Sequence, residues 1–265
     1  MSKAVAESKD LREFFQKLSG TTDRVLILDY DGTVAPFATD RDRAYPYPEV
    51  RKLLNEITSH CRTRLIMISE RSAHEVSPLL GLEAIPEVWG THGAERLLPD
   101  GRYEGAEVSD EALQVFSEAE TQLLDENLGY LLDVRPAAVS VHWRGLNESE
   151  ILTVRKKAYR ILEPFVFTPG LLLAEFDGGI EIRMRSASKG DAVRTILSEI
   201  SEDVPVAYLG DDAADEDAFR ALNGRGLTVL VRRKLHFTAA QIWLRPPDEV
   251  VRFLIDWVKA CEIGA

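Results

Sequence analysis

The chain has 265 residues, enough for one large core or two unequal domains. Its 45% hydrophobic and 29% charged residues match a soluble globular protein rather than a disordered or fibrous one. Asp and Glu (44) outnumber Lys and Arg (32), and the formal charge of −12 argues against general nucleic-acid binding, which needs a basic footprint. Phosphate binding stays open, because a local lysine, a metal and helix N-termini can outweigh the overall field. The only two cysteines, Cys61 and Cys261, have no CxxC spacing, so reduced thiols in a cytoplasmic setting are expected in place of a disulfide framework or zinc site. Met1 to Gly20 mixes charges through a helical pattern and reads as neither a signal peptide nor an anchor. No segment approaches the roughly 18–20 apolar residues of a membrane span. Neither a membrane nor an obligatory protein partner is expected.

The first strong element is Val25-Leu26-Ile27-Leu28, an unalternated apolar run ending in Asp29-Tyr30-Asp31-Gly32-Thr33. Such a run predicts a strand buried on both faces, as in a parallel sheet. Pro48 opens a helix with Val50, Leu53, Leu54 and Ile57 on one face. A second buried strand, Leu65 to Ile68, ends at Ser69, completing a βαβ pattern. After Gly93 the pattern changes. Leu97 to Tyr103 carries a Pro-Asp-Gly turn and predicts a hairpin. A helix capped by Ser109 or Asp110 runs to about Asn127, with Leu113, Phe116, Leu123 and Leu124 as its core residues. Tyr130 to Val134 and Ala138 to Trp143 read as strands, Glu148 to Leu162 as a helix, and Leu171 to Phe176 with Ile180 to Met184 as a strand pair around Asp177-Gly178-Gly179. The α/β pattern resumes with a helix from Ser188-Lys189-Gly190, a strand from Val204 to Leu209 ending at Gly210-Asp211-Asp212, a helix over Asp215 to Leu222, a strand over Leu227 to Val231, and a closing helix over Pro247 to Ala260. The expected fold class is α/β, a doubly wound (Rossmann-like) parallel-sheet core of residues 1–98 and 187–265 with an inserted smaller α+β cap domain over residues 99–186.

In an open α/β sheet, ligands bind beyond the carboxyl ends of the strands. Asp29 with Asp31, Ser69, Lys189, and Asp211 with Asp212 all fall there or at helix starts facing that edge. Singly, each has a plainer explanation as a cap, a turn former or a solvated side chain. Together they imply more, because carboxylates gathered at strand ends repel one another unless a cation joins them, and an oxygen-only set suits magnesium. A lysine and a hydroxyl opposite that cluster suit the remaining charge of a phosphate.

With these residues placed, the chain resembles the haloacid-dehalogenase-like phosphatase superfamily. Asp29-Tyr30-Asp31-Gly32-Thr33 matches its DxDGT signature, and Ser69, Lys189 and Gly210-Asp211-Asp212 match its later motifs in order. Within the superfamily, Ile68-Ser-Glu-Arg71, Thr91-His-Gly-Ala-Glu95, Val141-His-Trp-Arg144, Glu181 with Arg183, Ser188-Lys-Gly190 and the stretch from Gly210 to Phe219 resemble the trehalose-6-phosphate phosphatases. Departures are Glu70 where that family has glycine, Asp133 and Arg135 where it has Glu and Lys, and Ala214 where it has Thr. The cap changes bear on the sugar, since a shorter carboxylate and a planar fork reposition every hydrogen bond.

The resemblance implies a magnesium-dependent sugar-phosphate phosphatase, with trehalose 6-phosphate as the expected substrate. Asp29 is then the nucleophile and Asp31 the general acid and base. Thr33, Ser69 and Lys189 hold phosphoryl oxygens. Magnesium is held by Asp29, the Asp31 backbone carbonyl and Asp211, with Asp212 and Asp215 behind them. Specificity falls to the cap residues Asp133, Arg135, His142, Arg144, Glu175, Glu181 and Arg183. The alternatives are another sugar phosphate such as a glucosyl-glycerol phosphate, a phosphohexomutase, and a non-catalytic sugar-phosphate-binding regulator.

Overall fold

Arg24–Asp29 (β1) is buried at every position, and its residues alternate between two apolar layers. Leu26 and Leu28 pack with Phe14 of α1 (Lys9–Ser19), Leu54 of α2 (Pro48–His60), Val76 of α3 (Ala73–Leu80) and Trp257 of α8 (Asp248–Ile263). Val25 and Ile27 pack with Val193 of α6 (Lys189–Ser198) and Phe219 of α7 (Asp215–Leu222). The unalternated run therefore has a direct cause, since helices cover both faces of this strand. Each such side chain contributes roughly 1.5–3 kcal/mol by leaving water.

The computed structural model describes residues 9–38, 40–176 and 178–263. The chain divides into one unit of Met1–Glu104 with Lys189–Ala265 and another of Gly105–Ser188. In the first, the sheet runs β12 (Ile242–Leu244), β11 (Leu227–Val231), β10 (Val206–Gly210), β1, β2 (Thr63–Ile68), β3 (Glu87–Gly90), β4 (Glu95–Leu97) and β5 (Tyr103–Gly105). The strands are parallel from β12 to β3, and β4 turns back antiparallel on β3. The register places the chemistry. Asp29 pairs with Ile68, the residue before Ser69, and Leu28 pairs with Leu209, two residues before Asp211.

Three elements here have no counterpart among the expected ones. β12 has 3 residues and β3 has 4, too few to show a period, and the 8 residues of α3 are interrupted by Pro78, which argues against a helix. Short α3 is fixed by its start, where Ser72 and Glu75 form a reciprocal capping box. The first division falls after Glu104, not after residue 98, because β5 extends the first unit's sheet. The second falls after Ser188, two residues beyond the expected 186.

The second unit carries a four-stranded antiparallel sheet, ordered β6 (Leu132–Arg135), β7 (Ala138–His142), β9 (Gly179–Met184), β8 (Leu171–Phe176). Val139, Val141, Ile180 and Ile182 point to a core shared with α4 (Asp110–Asp125) and α5 (Glu148–Leu162). The core stripe of α4 differs from the expected one. Phe116 and Leu123 are buried, but Leu113 and Leu124 are exposed, and Ala112, Val115 and Ala119 complete the buried face. Small residues allow close packing there, so a reading that favoured large leucines chose two outward positions. Tyr130 lies in a short 3-10 turn and is exposed, so β6 starts two residues later than expected. Asp177, in the expected turn after β8, lies outside the described residues, as do residues 1–8 of the expected N-terminal helix. Among the described residues, no helix is long and apolar enough to cross a membrane.

Candidate active site

The loop after β1 is a tight turn in which the Tyr30 carbonyl accepts from the backbone N–H groups of Thr33, Val34 and Ala35. Gly32 takes φ +86°, and a Cβ there would lie 2.3 Å from Oδ2 of Asp211. Only glycine lets this backbone lie directly against that carboxylate. The turn also brings the Thr33 hydroxyl back to donate to Asp29 Oδ2 at 3.1 Å.

Lys189, the first residue of α6, is buried and reaches the same point. Its Nζ donates to Asp29 Oδ1 at 2.7 Å and to Asp215 Oδ1 at 2.9 Å. Asp215 is fully committed, because Oδ1 also accepts from the Tyr208 hydroxyl, while Oδ2 accepts from the backbone N–H groups of Asp211 (2.9 Å) and Asp212 (3.0 Å). Gly210 makes room for it, since a Cβ at that position would lie 2.3 Å from Asp215 Cγ. The acidic run after β10 is thus no solvated helix start. Asp211, Asp212 and Asp215 are buried, and Asp215 orders the loop that presents the other two.

Asp29, Asp211 and Asp215 bring carboxylate oxygens within 4.8 Å of one another. Burial pushes Asp29 well above the usual carboxylate range; Lys189 opposes this and Asp215 adds to it. Asp211 is raised by burial and then by Asp29, Asp212 and Asp215. Asp215 itself is held low, because Lys189, Tyr208 and the backbone N–H of Asp212 outweigh its burial. For Lys189, burial works against the charge, but Asp215 and Asp29 hold its pKa well above the ordinary value. One cation shared by several carboxylates satisfies Asp215 and leaves Asp29 and Asp211 under strain of like charge. A divalent cation fits this set, for the donors are all oxygens and the negative charge exceeds what Lys189 offsets. Since four donors already occupy Asp215, Asp29 and Asp211 are the carboxylates with capacity for such an ion.

Asp31 stands apart from that cluster. Its carboxylate is gripped by Arg71, Nε to Oδ2 at 2.6 Å and Nη2 to Oδ1 at 2.8 Å. Arg71 is itself fixed by donating Nη1 to the Arg41 carbonyl at 2.9 Å. Ser69 is buried at the end of β2, its hydroxyl accepting from the Arg71 backbone N–H at 3.1 Å. The stretch from Thr91 to Glu95 braces this loop. His92 N–H donates to the Ser69 carbonyl, and Glu95 accepts from the Thr91 hydroxyl, the Ala73 N–H and the Tyr103 hydroxyl. The sequence reading gave no role to Arg71 or Tyr208. A tyrosine inside an otherwise aliphatic strand is the signal that was available, since a buried hydroxyl needs a partner.

In the second unit, strand register puts Asp133, Ser140 and Glu181 in one row across the sheet and Arg135 and Arg183 in the next row on the same face. Arg135 donates to the Ser140 hydroxyl and to Glu181 Oε2 (3.3 Å), and Glu181 Oε1 pairs with Arg183 Nε at 3.0 Å. His142 Nε2 lies 3.4 Å from Asp133 Oδ2 and its ring packs on Phe176. Arg144 follows β7 and lies over Gly178. Glu175 is different, because its register with Ile180 turns it to the helix-covered face, where it pairs with Arg155 of α5 at 2.7 Å. The expectation that it joins the polar wall is corrected by that pairing.

Carboxylates at the end of β1 and two residues on, a hydroxyl after β2, a lysine opening α6 and an acidic loop after β10 accompany the fold of a haloacid-dehalogenase-like phosphoric monoester hydrolase. The fold agrees: a haloacid dehalogenase-like hydrolase from B. subtilis superposes with TM-score 0.59 at 15% identity, over 88% of this chain and 99% of that one. Residues 27–240 match the profile of the Trehalose-phosphatase family, and the chain belongs to that family. A probable trehalose-phosphate phosphatase 3 of Oryza sativa subsp. japonica is 30% identical over 260 residues, covering 89% of this chain and 69% of the relative. A crystal structure of a trehalose-6-phosphate phosphatase related protein superposes with TM-score 0.71 at 25% identity, over 90% of this chain and 99% of that chain.

Proposed function

We propose that this phosphatase hydrolyses trehalose 6-phosphate to trehalose and inorganic phosphate, with magnesium as cofactor and Asp29 as nucleophile. The observation that carries this reading is the setting of Asp29, held between the Lys189 ammonium and the Thr33 hydroxyl beside the raised carboxylate of Asp211.

Asp29 attacks phosphorus while Asp31, oriented by Arg71, protonates the departing sugar oxygen. The aspartyl-phosphate so formed is hydrolysed by water that Asp31, now ionised, deprotonates. Lys189, Thr33 and the Ser69 hydroxyl neutralise and orient the phosphoryl oxygens. Asp29, Asp211 and the Asp31 backbone carbonyl would hold magnesium, with Asp212 and Asp215 ordering the loop. Bound there, the ion shields the approach of one anion to another and offsets charge on the phosphoryl group.

The sugar is read by the polar face of the second unit, with Asp133, Arg135, His142, Arg144, Glu181 and Arg183 as its side chains. Support comes from the shared face of the five strand residues and from the mutual orientation of Arg135, Glu181 and Arg183. The test is phosphate release from a panel of sugar phosphates, with magnesium and with chelator. Strong magnesium-dependent preference for trehalose 6-phosphate is expected. Preference for another member would reassign the sugar, and phosphoryl return to sugar without phosphate release would make the enzyme a mutase.

A further inference from the structure

β11 ends at Val231, and the register that sets Gly210 beside Leu230 brings the residues just past the two strands, Asp211 and Arg232, close together. The backbone of Arg232 is fixed from β12. Its N–H donates to the Leu244 carbonyl at 2.9 Å, and its own carbonyl accepts from the Trp243 indole N–H at 2.7 Å. With the main chain tied on both sides, the half-buried side chain crosses to the neighbouring loop, where Nη1 donates to the Asp211 carbonyl at 2.9 Å.

That carbonyl belongs to the same peptide unit as the Asp212 N–H, which donates to Asp215 Oδ2 at 3.0 Å. The Asp211–Asp212 peptide is thus held at both its polar ends, by a guanidinium on the oxygen and by a carboxylate on the nitrogen. The two bonds point the same way along one peptide dipole, so each strengthens the other. Both are also charge-assisted, which places them among the stronger hydrogen bonds. On its other side, the Asp211 N–H donates to Asp215 Oδ2 at 2.9 Å. From Asp215 the contacts continue through Oδ1 to Lys189 Nζ and on to Asp29 Oδ1. Arg232 is the outer end of the network that holds the acidic loop, and Asp215 is its centre.

The loop needs holding because of its charge. Asp29, Asp211 and Asp215 bring carboxylate oxygens within 4.8 Å of one another around the Lys189 ammonium. A loop free to turn would carry Asp211 away from Asp29 and relieve the repulsion between like charges. We propose that Arg232 is a positioning residue for the magnesium site, fixing the Asp211–Asp212 peptide so that the Asp211 carboxylate stands beside Asp29 before the ion arrives. The inference rests on the reading of Asp29 and Asp211 as magnesium carboxylates. In this role Arg232 acts through Asp211, as a partner one bond behind a metal ligand, and such partners set metal affinity by orienting the ligand.

The test measures magnesium binding to the full chain without substrate, by calorimetry and by the rise of Tm with magnesium, beside melting in chelator and kcat at saturating magnesium. Arg232→Met removes the donor and keeps an unbranched stem, and Arg232→Gln keeps an amide donor on a shorter one. Each should weaken magnesium binding about 10- to 100-fold, with kcat restored at saturating magnesium. Arg232→Lys, which returns the charge without the planar fork, should bind with intermediate affinity. A purely structural role would lower melting in chelator and leave the magnesium affinity of the folded protein unchanged. Unchanged affinity in the Met and Gln variants, while Asp211→Asn loses it, would overturn the role of Arg232 alone. Unchanged affinity in Asp211→Asn would instead overturn the metal reading beneath it.

Discussion

Arg71 holds Asp31 by two parallel hydrogen bonds of 2.6 and 2.8 Å, whereas Asp29, two residues earlier, is held by Lys189 and Thr33. The two carboxylates, only two residues apart, are thereby given different surroundings. Asp29 faces Lys189 and the acidic loop, and Asp31 faces a guanidinium. The guanidinium fixes where the Asp31 carboxylate points, and position is the first requirement for moving a proton at a leaving oxygen.

Removing Arg71 should therefore misplace Asp31 without touching Asp29. Arg71→Ala is expected to lower kcat on trehalose 6-phosphate by roughly 10- to 100-fold, less than the roughly 100- to 10,000-fold supplied by a positioned general acid, because Asp31 is misplaced and not removed. The phosphorylation step with an aryl phosphate, whose leaving group needs no proton, should be spared, and Arg71→Lys should recover part of the loss. Pre-steady-state release of the phenol separates the two steps. Equal losses on both substrates would place Arg71 elsewhere in the mechanism.

Asp215 is the structural centre of the acidic loop. Asp215→Ala leaves Lys189 with Asp29 alone and strips the acceptor from the Tyr208 hydroxyl and from two backbone N–H groups. Breaking a buried pair of this kind costs about 3–5 kcal/mol. Urea unfolding of the metal-free protein should show a loss of that size, while a change under about 1 kcal/mol would mean the loop is ordered otherwise.

The raised carboxylates make a signed prediction about pH. Asp29 and Asp211 are held well above the carboxylate range, and Asp212 reaches about 7. Between about pH 4, where these groups ionise in the unfolded chain, and their folded values, the folded metal-free protein binds the extra protons. Their contribution to stability is present below that window and is lost as pH rises through it. Asp215, held low, works in the opposite sense and loses its contribution only in stronger acid. Melting in chelator should therefore fall between roughly pH 5 and pH 7.5, and magnesium should raise Tm most at the upper end. A magnesium effect independent of pH would remove these carboxylates from the metal site.

In the second unit, Arg144→Ala should raise KM for trehalose 6-phosphate about tenfold or more, the cost of a charge-assisted hydrogen bond to the sugar. An aryl phosphate, with no sugar to bind, should be unaffected. Parallel kinetics on the two substrates decide the matter, since equal effects would deny Arg144 a role in recognition.

Much of this architecture was legible in the residues. The buried runs before Asp29, Ser69 and Asp211 located three adjacent parallel strands, and α5, α7 and β11 have the expected bounds. Periodicity failed at β3 and β12, which are too short to have one, and at α3, which Pro78 interrupts. It also misjudged α4, where Ala112 and Ala119 are buried and Leu113 faces solvent. In the site, the sequence named the residues at strand ends but not the partners that aim them. Arg71 meets Asp31 across 40 positions, and Tyr208 meets Asp215 only because Gly210 lets the loop fold back. Those contacts depend on sheet register and loop path, which local pattern does not encode.

The most direct measurement is rapid acid quench of the enzyme during turnover of trehalose 6-phosphate with magnesium, followed by peptide mass mapping. A phosphoryl group should be found on Asp29, sensitive to hydroxylamine, and absent in Asp29→Asn, which should retain its fold and lose turnover. Undiminished turnover in Asp29→Asn, or a phosphoryl group on another side chain, would contradict Asp29 as the nucleophile.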